Sequence, residues 1–146
     1  MPIDPAQPRP VPARRPPCCE IRTVIPATFE AIEHVFEGFR RNCKCILDLH
    51  DCFAAELLLR EALTNAVVHG SQASPERLVR CGLRMRGNRL LIAIEDGGNG
   101  FDWRAIRFRE ADLSACSGRG MQILRTYATR VRFNAKGNAV AIIKDF

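Results

Sequence analysis

The chain has 146 residues, 47% hydrophobic and 26% charged, which suits one domain with its own core and excludes a wholly disordered protein. Its longest apolar runs, such as Leu90 to Ile94, are five residues; a membrane span needs ~20, and no apolar leader opens the chain, so a cytoplasmic protein is the expectation. The net charge of +6, carried mainly by arginine, points to an anionic partner without choosing among nucleic acid, nucleotide and acidic protein.

Residues 1–17 hold seven of the nine prolines together with Arg9, Arg14 and Arg15. Proline supplies no ladder donor, and the segment has few side chains to pack, so residues 1–19 read as a disordered basic tail and residues 20–146 as the domain. "EIRTVI", residues 20–25, reads as a strand before Pro26. Phe29, Ile32, Phe36 and Phe39 then recur at helical spacing. Asp51 is the expected cap of a second helix running to His69, with Gly70 as its stop. "LVRCGLRMR" alternates Val79, Cys81, Leu83 and Met85 against Arg80, Gly82, Arg84 and Arg86, the pattern of a half-buried strand. A Gly87-Asn88 turn leads into "RLLIAIED", with Leu90, Ile92 and Ile94 on one face. A loop to about Ser117, a short helix at "MQILRTYA" and a hairpin around residues 136–138 complete the chain.

This order predicts an α+β domain: a two-layer sandwich of a mixed, mainly antiparallel sheet with helices on one face. Arg80, Arg84, Arg86, Arg130 and Arg132 would share the open face, either solvated or as a docking surface for an acidic partner. The seven cysteines, odd in number and without C-x-x-C spacing, read as packed thiols; metal or redox chemistry at Cys43, Cys45 and Cys52 is the sharper alternative.

Three stretches carry possible chemistry. Alternation puts Asp96 at the end of the core-facing row of its strand, where an unpaired carboxylate is costly and needs a donor. "DGGNG" follows from it, either a plain turn or a backbone that comes close to a ligand. Glu61 and Asn65 lie one helical turn apart, so they share a water or cation, or merely extend the solvated stripe of Glu56, Arg60 and Thr64. "SGRGMQIL" opens a helix with glycines and an arginine, either an ordinary helix start or an anion site.

Taken in order, Glu61-x-x-x-Asn65-x-x-x-His69-Gly70, then Asp96-x-Gly98-x-Gly100-Phe101, then Gly118-x-Gly120-Met121 resemble the GHKL ATPase superfamily and its Bergerat nucleotide-binding fold. There is no Walker G-x-x-x-x-G-K-[ST] and no G-x-G-x-x-G. Within the superfamily the chain is most similar to the anti-sigma-factor serine/threonine protein kinases, over residues 20–146.

The resemblance implies ATP and Mg²⁺ as cofactors. It makes Asn65 the Mg²⁺ ligand, a carboxamide oxygen suiting a hard cation. Glu61 becomes the general base. Asp96 accepts a hydrogen bond from the adenine amino group, with Gly98 and Gly100 letting the backbone pass the base. Phe101 and the loop to Ser117 form a lid, with Met121 beside the nucleotide. Gly118, Arg119 and Gly120 cradle the phosphates, Arg119 stabilising charge on the transferred group. Implied partners are an anti-sigma-factor antagonist as phosphoacceptor and a sigma factor, with homodimerisation frequent. Three features depart from the family pattern: Gly137-Asn138 where Gly-Thr is common, a lid rich in Arg104, Arg107 and Arg109, and the proline-rich tail. A nucleotide-responsive binding protein without useful kinase activity is the alternative. A histidine-kinase fragment lacks a dimerisation helix pair, His34 lacks phosphoacceptor surroundings, and a nucleic-acid binder rests on charge alone.

Overall fold

The computed structural model describes residues 18–43, 46–102 and 116–146; of residues 18 and 116–119 only the backbone is described. Residues 1–17 of the expected tail and most of the lid, including Arg104, Arg107 and Arg109, therefore lie outside the described residues, whereas Cys18 and Cys19, expected in the tail, already belong to the first strand.

The chain runs β1 (Cys18–Pro26), α1 (Phe29–Cys43), α2 (Leu49–Thr64), a π-helical turn (Asn65–Gly70), β2 (Leu78–Arg86), β3 (Arg89–Asp96), α3 (Cys116–Tyr127), β4 (Arg130–Phe133) and β5 (Ala139–Asp145). The five strands form one open sheet in the order β1-β2-β3-β5-β4. Every pairing among the described residues is antiparallel, so the α+β two-layer sandwich is as expected while the described sheet is antiparallel throughout rather than mixed.

The layers follow from the side-chain periods. In β2, Val79, Cys81, Leu83 and Met85 are buried, and in β3 Leu90, Ile92, Ile94 and Asp96 are. In α1, Ile32, Val35, Phe36, Phe39 and Cys43 form the core-facing stripe. Phe29, the first residue of the predicted stripe, is instead 61% exposed because it opens the helix. The Thr28 hydroxyl accepts the Ala31 N–H at 3.2 Å and caps α1. His34 is exposed on this helix.

The central helix α2 buries Ala54, Ala55, Leu58, Leu59, Ala62 and Leu63. It contacts α1 on one side, α3 on another, and β3 and β5 beneath. Asp48 caps it, not Asp51: its side chain accepts the Asp51 N–H at 2.8 Å. Asp51 sits in the first turn and contributes its backbone donor, so the helix starts three residues earlier than expected. The stripe Glu56–Arg60 is an inter-helix seam. Arg40 donates to Glu56 at 2.9 Å, Arg60 donates to Glu33 at 3.2 Å, and the Arg60 guanidinium lies 4.3 Å from the Phe36 ring centre.

The other sheet face has no helix among the described residues and carries the arginines anticipated there. Register aligns Arg22, Gly82, Ala93, Ala141 and Arg132 across all five strands. Small residues thus floor a shallow trough between arginines. Glu20 pairs with Arg22 and Arg84, Glu95 with Arg80, and Asp145 with Arg89, all in the plane of this face. Arg86 and Arg132 are exposed with no such carboxylate beside them among the described residues.

Candidate functional site

The expected single helix to His69 changes pitch at its end. The N–H of Ser71 reaches back to Ala66 at 2.8 Å, a five-residue step, and Asn65–Gly70 widens into a π turn. This turn faces the end of β3. The chain leaves it through Gln72 and Ala73, both left-handed (φ 54° and 49°), with the Ala73 N–H held by the Val67 carbonyl at 2.7 Å.

A cavity of about 260 Å³ opens between the π turn, the end of β3, α3 and the β4–β5 hairpin. Ile94, Leu124, Phe133 and Val140 give it apolar walls, and Asp96 supplies a carboxylate. Of the site residues expected from sequence, Asn65, Asp96, Gly100, Phe101 and Met121 line it. Its size and single buried acceptor suit a flat heterocycle bearing an amino donor.

Asp96 is buried and anchored on three sides. Its Oδ1 accepts the Gly98 N–H at 2.7 Å. Its N–H donates to the Asn138 carbonyl at 2.9 Å, and the Asn138 side-chain amide donates to the Asp96 carbonyl at 2.8 Å. Burial pushes the carboxyl above the ordinary aspartate value, partly opposed by the Gly98 N–H and the charge of Lys136. The carboxylate lies against Gly70, where any Cβ would collide with it, and a Cβ on Gly98 would strike the Gly70 carbonyl. Gly98 itself is buried behind the cavity. Gly100 (φ 78°) and Gly137 (φ 82°) pack backbone on backbone, closing the 97–102 loop onto the hairpin.

The second half of the site is where α3 meets the end of α2. A Cβ placed on Gly120 would lie 2.7 Å from Glu61 Oε2 and 3.5 Å from Asn65 Nδ2. The carboxylate, the carboxamide and the glycine backbone therefore converge on one point. Desolvation raises the Glu61 carboxyl above its ordinary value, with Arg60 opposing weakly. Gly118 and Arg119 fall in the first turn of α3, which begins at Cys116, five residues before the expected "MQILRTYA" helix; the Arg119 side chain lies outside the described residues.

Sequence reasoning did not assign several wall residues. His69 lines the cavity although no role was attached to it. Phe133 also lines it and meets Phe101 edge-on, ring centres 5.2 Å apart. Asn134 organises the hairpin: its Oδ1 accepts the N–H groups of Gly137 and Asn138 at 2.7 and 3.0 Å, and its amide donates to the Asn138 side chain at 2.7 Å. The pair Asn134-x-x-x-Asn138 around a glycine was the available signal.

The arrangement fits a nucleotide with its metal. The cavity holds an acceptor for an amino group, Asn65 offers a neutral oxygen to a hard cation beside Glu61, and the α3 start lies against both. The Ser71 hydroxyl, fully buried directly after Gly70, has no hydrogen-bond partner among the described residues. A family model described as "histidine kinase-like ATPase domain" matches residues 25–144. None of the curated proteins compared with the chain matches it.

Proposed function

The chain belongs to the family of histidine kinase-like ATPase domains, the GHKL fold, and on that premise we propose that it is an ATP-dependent serine/threonine protein kinase. In this reading it is an anti-sigma factor or similar partner-switching regulator, and it phosphorylates an antagonist protein. Domains of this family bind ATP with Mg²⁺. The finer reading rests on one observation: Glu61 and Asn65 converge on Gly120, next to the Asp96 cavity.

Each residue then has a distinct task. Asp96 accepts the adenine amino hydrogen, which offsets the cost of its burial. Asn138 and Gly98 hold that carboxylate in place. Asn65 would hold the Mg²⁺, which would screen the charge of the phosphates. Glu61, its carboxyl raised above the ordinary glutamate value by desolvation, takes the proton of the attacking serine or threonine hydroxyl. Gly118 and Gly120 admit the phosphates to the α3 N-terminus, and Arg119 stabilises charge on the transferred group. A base at Glu61 distinguishes this reading from a nucleotide-dependent binding protein, which needs none.

The phosphoacceptor is a serine or threonine on the antagonist; a sigma factor is the second partner. The arginine-rich sheet face, with Arg86 and Arg132 exposed, supports docking of an acidic protein surface. The test is incubation with Mg-ATP and the antagonist, followed by mapping of the phosphorylated residue. Binding of the pair without phosphate transfer would leave the regulator and remove the kinase.

A further inference from the structure

The thiols remain unexplained by any nucleotide chemistry. Cys19 faces the core from β1, opposite Met85 in the register. Cys43 is the last residue of α1. Their sulfurs lie 3.1 Å apart in the interior, one S–H donating to the other. That is only about 1 Å beyond the ~2.05 Å of a disulfide bond.

We propose that Cys19 and Cys43 are a modification site: they form a reversible disulfide that joins the start of β1 to the C-terminal end of α1. The oxidant is a hydroperoxide. The first attack falls on Cys19, the less buried residue of the pair, 8% exposed against 1% for Cys43. The Cys19 thiol takes one peroxide oxygen and becomes a sulfenic acid, and the remainder leaves as water or alcohol. Cys43 sulfur then attacks the sulfenic sulfur. The S–S bond forms, and the sulfenic oxygen leaves as water with the Cys43 proton. Two thiols are oxidised by two electrons, and the peroxide is reduced by two. A thiol reductant reverses the bond by exchange.

The neighbours narrow the choice of partner. Cys81 faces the same core, but its register partner is Thr23, four residues along β1 from Cys19, and burial pushes its thiol up to about 12, which keeps it protonated. Cys52 directs its thiol to the Leu47 carbonyl at 3.7 Å. The bond would close a loop between residues 19 and 43 and pin the edge strand from which residues 1–17 depart. It touches none of Glu61, Asn65 or Asp96, so nucleotide binding should be indifferent to it.

The experiment treats the folded full-length chain with hydrogen peroxide, alkylates remaining thiols and digests with trypsin without reduction. Cleavage after Lys44 separates Cys43 from Cys45 and Cys52, and a Cys18→Ser variant removes the other cysteine of the Cys19 peptide. The expected product is a Cys19–Cys43 crosslink, 2 Da lighter than the two thiol peptides and abolished by dithiothreitol. The thermal midpoint of the oxidised chain should rise by about 5–10 °C. Cys43→Ala and, separately, Cys19→Ala should each erase both effects. A crosslink that instead joins Cys19 to Cys45 or Cys52, one that forms only between chains, or none at all while a urea-unfolded control oxidises, overturns the proposal. An unmoved midpoint in the crosslinked chain overturns the pinning of β1.

Discussion

The two faces of one sheet treat their carboxylates in opposite ways. On the helical side, Asp96 and Glu61 are desolvated and both titrate above their ordinary values. On the open side, Glu20 is held below its ordinary value by Arg84 and then Arg22, and Asp145 by Arg89. The open face satisfies its acids with surplus arginine and leaves them in water. Apart from the Arg40–Glu56 and Arg60–Glu33 seam, the helical side leaves Asp96 and Glu61 without a paired cation among the described residues, a cost that folding alone does not explain. Groups perturbed by burial in a cleft mark a functional site; groups perturbed by exposed partners mark a solvated surface.

The largest effect should come from Glu61→Gln, which removes the base while keeping the shape. Phosphate transfer should fall by about 10²–10⁴-fold, read from single-turnover transfer to the antagonist. Nucleotide affinity should change little. Transfer at the original rate would break the contrast at its functional end, since a raised carboxyl would then do no chemistry. Asp96→Asn should come next, weakening ATP binding about 10–100-fold, as expected for a hydrogen bond to a charged acceptor worth ~1.5–3 kcal/mol. Calorimetric titration with ATP measures it.

The same two groups set a pH dependence opposite to that of the open face. Because folding raises the carboxyl pKa of Asp96 and Glu61, their contribution to stability is complete below the unfolded carboxylate pKa and is lost as pH rises through the raised folded value. Glu20 and Asp145 behave conversely: folding lowers their pKa, so their contribution is present above the unfolded pKa and is lost on acidification through the lowered folded value. In the proposed reading ATP binding needs ionised Asp96, so affinity should begin to fall on acidification above the ordinary aspartate pKa of ~3.9. Titrations across pH 4–7 should show that fall in the native chain and a flatter profile in Asp96→Asn. An equally steep profile in the variant would detach the effect from Asp96.

Much of this contrast was legible in the sequence. Period-two alternation assigned the faces of β2 and β3, including the buried end position of Asp96. Helical spacing brought Glu61 and Asn65 to one side of α2. What escaped were features decided by backbone detail and by distant segments. Asp48 and Asp51 both precede an apolar run, and only the direction of one hydrogen bond makes Asp48 the cap. The π turn depends on backbone hydrogen bonds that reach five residues back, such as Ser71 to Ala66, which no residue type announces. His69 and Phe133 reach the cavity because the π turn and the hairpin both border it, although the two residues lie more than 60 positions apart in the chain.

Smaller effects sharpen the comparison from its structural side. Asn138→Ala removes the donor to the Asp96 carbonyl and the acceptor for the Asn134 amide. It should cost about 1–2 kcal/mol of stability and weaken ATP binding through Asp96, whereas Asn138→Thr should recover part of the binding. Chemical denaturation and calorimetry on both variants separate the two losses. Equal ATP binding by all three chains would show that the hairpin merely borders the site.

The smallest expected effect belongs to the open face. Arg86→Glu with Arg132→Glu reverses two exposed cations of the open face, and neither ties an element of the core. The melting midpoint should stay within about 2 °C of the native value, and ATP affinity should be unchanged. The double reversal should nevertheless weaken an acidic partner, mainly through association rate and more strongly at low salt, because rim charges act by steering. Interferometry against the antagonist and the sigma factor at two ionic strengths measures this. A change in ATP binding would join the two faces into one electrostatic unit; unchanged partner binding would leave the arginines as a solvated surface whose work ends at neutralising Glu20, Glu95 and Asp145.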